Sequence, residues 1–287
     1  MSAIPPQTGS ELREVRGPSA LGGGSRRFYD LLRLISVTEF KRVYFGTVLG
    51  YLWSLIRPLL LFSVLLVVFT QVFKVGSDKV EHYPVYLLLG IVLYTFFQEG
   101  TTNSVTSVVS QEGVVRKTQF PRLVIPLSTV LTSAFNFGLN LIIVVVFILA
   151  FGVEPAWTWL LFPVALIPLF MLTVATSMAL SVLYVRFRDV AIIWTVVAQV
   201  LLYATPILYP VNFKPGGDFE HLLMINPLAV IFEQVRIWVL HEPMAPTVVD
   251  AAGGWLGLLP AFAIFVGVCV FAVWIFNREA PRIAEDL

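Results

Sequence analysis

Residues 39–58 read E-F-K-R-V-Y-F-G-T-V-L-G-Y-L-W-S-L-I-R-P, and the character of the chain changes inside them. Upstream the sequence is charged and amphipathic; downstream it is almost unbroken hydrocarbon. Lys41 and Arg42 close the polar part, Tyr44 and Trp53 are aromatics of the kind that settle at a membrane–water interface, and Arg57-Pro58 opens an apolar run. This is the pattern of a chain leaving a membrane surface and turning into the bilayer.

Composition supports that reading. Of 287 residues, 57% are hydrophobic and 13% charged, with a mean hydropathy of +0.84. Soluble domains carry about 25% charged residues, so an integral membrane protein is expected. The single cysteine, Cys269, cannot form an internal disulfide and reads as a small buried hydrophobe. The first 25 residues are polar and rich in Gly, Pro and Ser, without the apolar core of a cleavable signal. They read as a disordered cytoplasmic tail.

From Arg26 the periodicity turns helical. Phe28, Leu31, Leu32 and Ile35 share one face, while Arg26, Arg27, Asp30 and Arg33 supply the polar side. The pattern predicts a helix lying in the membrane interface, or one packed on a partner. Six spans are expected after it, near residues 51–73, 86–110, 123–151, 159–184, 191–209 and 255–276. Pro206 and Pro210 break the chain after the fifth. Residues 219–240 are moderately apolar but too short past Asn226-Pro227 to cross, so a re-entrant segment is expected, with Glu233 and Arg236 paired on one face. The expected fold class is all-α integral membrane: six transmembrane helices, an amino-terminal amphipathic interface helix and a re-entrant segment before the last span. The domain occupies residues 26–280, and 281–287 form a short cytoplasmic tail. With the amino terminus inside, fifteen of the 19 basic residues fall on the cytoplasmic side. Lys74, Lys79, Lys214 and Arg236 remain outside. That bias puts both termini in the cytoplasm.

Polar residues inside the spans are the candidates for function. Glu99, Thr102, Asn103, Thr106 and Ser110 form one helical stripe in the second span; Thr129, Thr132, Ser133, Asn136 and Asn140 recur in the third. Two such stripes suggest the wall of a hydrophilic passage or, equally, hydrogen bonds that hold the bundle together. An intramembrane carboxylate such as Glu99 is costly and points to a function or a partner. Phe69, Phe73, Tyr203 and Tyr209 are candidate flat faces for sugar rings. The basic connector Q-E-G-V-V-R-K-T-Q-F-P-R at 111–122 suits docking on a cytoplasmic partner. No phosphate-binding G-x-x-x-x-G-K-[ST] loop, paired carboxylates or metal-ligand spacing occurs, and His82, His221 and His241 fall in loops. Neither an enzyme, a metal site nor a nucleic-acid partner is expected.

The opening stretch resembles the start of the first span in type 2 ABC transporter permeases, most closely the O-antigen, capsule and teichoic acid export group. Glu39, Arg42, Tyr44, Leu49, Gly50, Trp53 and Pro58 carry the likeness. R-K-T-Q-F-P-R at 116–122, R-F-R-D-V at 186–190, T-P-I-L-Y-P at 205–210 and N-P-L at 226–228 extend it in order. The resemblance implies a bacterial inner-membrane half-transporter that forms a homodimer with two separate ATP-binding subunits, which hold the ATP and Mg that this chain lacks. It implies export of an undecaprenyl-linked polysaccharide along the dimer interface. Glu39 and Arg42 on the interface helix, with Glu112, Val115, Arg116, Lys117 and Phe120 in the connector, would couple to the ATPase. Glu99, Thr102, Asn103, Thr106, Asn136, Asn140, Phe69, Phe73 and Tyr203 would line the path. A drug or small-lipid exporter of the same type is the alternative, and an ion-coupled carrier or channel using Glu99 a more distant one.

Overall fold

The computed structural model describes residues 25–44, 52–72, 80–113, 121–211, 218–241 and 246–279, and all regular structure among them is helical. In order these are α1 (Ser25–Tyr44), α2 (Leu52–Val67, ending in a π turn Val68–Val72), α3 (Tyr83–Val105), α4 (Ser107–Ser110) and α5 (Val124–Ala150). A 3₁₀ turn, Trp157–Leu161, leads into α6 (Phe162–Arg186), followed by α7 (Val190–Ala204), α8 (Asp218–Leu223), α9 (Pro227–Leu240) and α10 (Val248–Ala251). A second 3₁₀ turn, Trp255–Leu258, leads into α11 (Leu259–Glu279).

Among the described residues, four stretches are long and apolar enough to cross a membrane: Leu52–Val72, Val124–Ala150, Trp157–Arg186 and Trp255–Glu279. The other two expected spans behave differently. α3 has the length, at 23 residues, but Gln98, Glu99, Thr101, Thr102, Asn103 and Ser104 make its last part polar. α7 has only 15 residues, about 22 Å of rise against a hydrocarbon layer of about 30 Å. The fifth apolar segment, expected over 191–209, thus leaves the helix at Ala204. The reason is local: a residue before proline is pushed out of the helical region, and Thr205, ahead of Pro206, is extended at φ −99° and ψ 135°.

α3 is the central element. Residues 85–94 are buried on every side, and α2, α5, α6, α7 and α9 all contact the helix. A helix apolar all round belongs in such a position. Close approach depends on small groups: a methyl at Gly100 would stand 2.7 Å from Thr173 Cγ2, and Ser177 Oγ donates to Gly100 O at 3.1 Å. Ala175 and Ala179 of α6 meet Ala272 and Ile275 of α11 in the same manner. By contrast α2, α7 and α11 leave Leu60, Val64, Ile192, Val196, Phe262 and Val270 exposed, as lipid-facing helices do.

The apolar stripe of α1 does not wait for lipid. Phe28 and Leu32 are buried against Val108, Val124, Ile125, Val182, Val185 and Phe276, at the end of the bundle where α6 and α11 finish. α1 then climbs beside α5: Thr132 Oγ1 lies 3.4 Å from Ser36 O, and the Phe40 and Phe135 rings lie 5.4 Å apart. Its outer side, with Tyr29, Asp30, Arg33 and Leu34, is exposed.

Candidate functional site

The two polar stripes meet in part. Glu99 of α3 is half-buried, and its Oε2 accepts from Asn136 Nδ2 of α5 at 3.4 Å. Asn140, one turn further along α5, donates to Asn136 O at 2.9 Å and to Ser54 O of α2 at 3.3 Å. The second bond has a cause in the sequence. Pro58 sits inside α2 and has no N–H to offer the carbonyl four residues back. That carbonyl is Ser54 O, and Asn140 supplies a donor from a neighbouring helix. The positive charge of Arg57, itself exposed, acts on the Glu99 carboxylate from the same helix. Asn136 and Asn140 are both buried, and the Oδ1 atom of each is left without a hydrogen-bond partner.

The remaining stripe residues divide. Thr129, Thr132 and Ser133 return their hydroxyls to carbonyls one turn back on α5, at 3.2, 2.9 and 3.3 Å; Thr101 and Ser104 do so on α3, at 2.7 and 2.6 Å. Such bonds satisfy the hydroxyls without water. Thr102, Asn103 and Thr106 instead point outward and are exposed. Among the aromatic candidates Tyr203 is 58% exposed, Phe69 is half-buried, and Tyr209 is half-buried with its hydroxyl on Tyr203 O at 3.0 Å. Glu39 and Glu112 are half-buried near the α1 end of the bundle. Phe73, the Arg42 side chain, Val115, Arg116, Lys117 and Phe120 lie outside the described residues. The chain therefore gathers Glu99, Asn136 and Asn140 into one cluster and leaves Thr102, Asn103, Thr106 and Tyr203 on open surface. Among the described residues, no three His, Cys, Asp or Glu side chains converge as metal ligands would.

A second polar cluster surrounds the Glu233–Arg236 pair expected from the i, i+3 spacing, and its partners from α3 and residues 205–210 were not anticipated. Arg236, counted above among external charges, is 2% exposed. Its Nη1 donates to Tyr86 Oη at 2.7 Å and to Pro206 O, and its Nη2 donates to Ile207 O at 3.1 Å. The guanidinium lies 3.6 Å from the centre of the Tyr86 ring. Glu233 Oε2 stands 3.5 Å from Nη1, an electrostatic contact, since that nitrogen already spends its protons on Tyr86 and Pro206. Tyr83 Oη donates to Leu208 O at 2.8 Å, and Tyr86 Oη reaches Tyr209 O at 3.0 Å and Pro206 O at 3.3 Å. Asn226 caps α9 by accepting from Leu228 N at 3.0 Å and donates to Thr205 Oγ1 at 2.9 Å. Side chains from α3 and α9 thus supply donors to the carbonyls of 206–209, which the proline-broken segment cannot satisfy within a helix. The far end of α9 is tied to the turn before α6 by Thr158 and Trp159, whose side chains donate to Trp238 O at 2.6 Å and Val239 O at 3.0 Å.

The segments 205–210 and 226–228, distant in the chain, are thereby one structural unit, and both lie within residues 30–240, which match the ABC-2 type transporter family. The chain belongs to that family. It is also 33% identical over 262 residues to the O-antigen export system permease protein RfbA of Klebsiella pneumoniae, covering 90% of this chain and 95% of that protein. A protein of the same name from Myxococcus xanthus is 28% identical over 262 residues, covering 91% and 96%. This ABC-2 chain is accordingly a membrane permease component of an ABC transporter. The signal for its Arg236 cluster was present in the sequence: an arginine three residues after a glutamate in an apolar stretch, downstream of two prolines that free backbone carbonyls.

Proposed function

We propose that this chain is the permease subunit of an ATP-driven exporter that moves a polysaccharide linked to undecaprenyl from the cytoplasm to the outer face of a bacterial inner membrane. Its likeness, over almost the whole of both chains, to O-antigen export permeases carries the reading. Family membership implies an ATP-binding subunit as partner. Two copies of this chain would pair with two such subunits, which bind ATP and Mg. In each copy α3 and α7 act as the second and fifth of six spans, α9 is re-entrant, and both termini are cytoplasmic. The outer face of α1 and the connector around Glu112 receive the push of the ATPase.

The open surface of one copy would become channel wall on pairing. Thr102, Asn103, Thr106 and Tyr203 are exposed in the single chain, as groups that meet a sugar hydroxyl must be. The Glu99–Asn136 bond ties α3 to α5 beside the exposed α3 residues, and the buried Asn136 and Asn140 each keep an amide oxygen without a hydrogen-bond partner. The test is direct. The purified chain should not hydrolyse ATP, and co-expression with its ATP-binding subunit should yield a complex that does and that exports glycan. Hydrolysis by the isolated chain would sink the proposal.

A further inference from the structure

A cavity of about 660 Å³ opens between α6, α9, α10 and the start of α11, away from the Glu99 cluster and from Arg236. Its wall includes Ile167, Val230, Ile231, Trp238 and Phe265, with Gln234 as its polar side chain. The volume falls within the roughly 300–1,000 Å³ of small-molecule sites. Two of its sides are α6 and α11, both carried by stretches long and apolar enough to cross a membrane. The rim runs without a break into their lipid-facing surfaces, where Val164 and Phe262 are 52% and 65% exposed. Trp255, 78% exposed, stands at the mouth, and Trp157 is 88% exposed at the same end of the bundle. Tryptophans gather at the headgroup level, so the mouth sits where a lipid's polar and apolar parts join.

One group in the wall is out of place. The Gln234 amide, half-buried in α9, makes no hydrogen bond among the described residues. That amide offers N–H donors at the edge of an otherwise apolar wall. We propose that the cavity holds an acyl chain of a bilayer phospholipid, with an ester or phosphate oxygen of the same molecule accepting from Gln234 Nε2. The proposal is independent of what the transporter exports.

The experiment uses the full chain in nanodiscs containing diacyl phospholipid with a diazirine at mid-chain. Peptides from α9 and the start of α11 should be labelled strongly, and Val230→Trp, which fills the cavity, should remove that labelling while leaving α2 and α7 labelled. Should Val230→Trp fail to fold, Gln234→Leu serves with a probe placed beside the glycerol ester. It should lose the label from that probe and retain the mid-chain label. Even labelling of all apolar faces, unchanged by either variant, would overturn the proposal. So would displacement of the phospholipid by excess polyprenyl phosphate, or a Val230→Cys chain that cross-links to a second copy, since each assigns the cavity to another occupant.

Discussion

Replacing Arg236 by methionine removes the guanidinium but keeps an unbranched apolar side chain of similar reach. The cost follows from what is left behind. Glu233, 4% exposed, loses its counter-charge, and breaking a buried pair from one side costs about 3–5 kcal/mol. Ile207 O loses the donor 3.1 Å away, adding about 1–3 kcal/mol for a buried carbonyl without a partner. Pro206 O keeps Tyr86 Oη at 3.3 Å, so it adds little. The total, about 4–8 kcal/mol, is comparable with the whole stability of a typical domain, and Arg236→Met should be recovered in poor yield. The companion variant makes the reasoning testable. Glu233→Gln with Arg236→Met removes the orphaned charge and should regain about 3 kcal/mol or more of the loss, leaving mainly the carbonyl deficit. Unfolding in mixed micelles titrated with SDS reads both. A single Arg236→Met within about 1 kcal/mol of the unaltered protein, or a double variant no better than the single, would refute the charge-pair account.

Gly90 approaches the same guanidinium, and a methyl there would collide with Arg236 Nη2. Gly90→Ala should destabilise by about 1–3 kcal/mol, whereas Gly138→Ala, with nothing within 4 Å, should be neutral or stabilising by up to about 1 kcal/mol through helix propensity; the same micelle titration compares them. Asn226→Ala should cost about 1–2 kcal/mol by removing the α9 cap, and Asn226→Asp should restore most of it because a carboxylate also accepts from Leu228 N. For transport, Glu99→Gln retains an oxygen for Asn136 and should give a well-assembled complex with weakened export. Complete loss of export there would favour an ion-coupled role for Glu99. Arg57→Lys should leave export unaltered if the exposed guanidinium serves only lipid phosphate, and selective loss in an assembled complex would place it on the path.

Which features the sequence made visible follows from how local their causes are. Periodicity and composition are local, so the all-helical membrane class, the stripes holding Glu99 and Asn136, and the Glu233–Arg236 pair at i and i+3 could be read directly. Periodicity names a face without naming its neighbour. The amphipathic stripe of α1 would look the same facing lipid or facing Val124 and Phe276. Arg236 reads as an external charge until Tyr86, 150 residues away, is placed under it. The Asn140–Ser54 bond spans 86 residues and has no periodic signature. The early end of α7 was legible in principle, because Pro206 dictates it, but hydropathy continues past the break and conceals it. Hydroxyls are the least legible: Thr102 and Ser104 are near neighbours in the chain, yet one is exposed and the other buries its bond on Gly100 O.

Pro58 and Asn140 carry a consequence for how such chains diverge. The proline frees a carbonyl and the asparagine answers it from another helix, so neither is neutral to change alone. A lineage that exchanges Pro58 for a residue with an N–H restores the bond within α2 and releases Asn140 from that duty. One that loses Asn140 first removes the donor that α5 supplies to Ser54 O, while Pro58 still has no N–H to replace it. Drift at this pair should therefore run in one order, proline before asparagine, and a phylogeny of related permeases would record the direction.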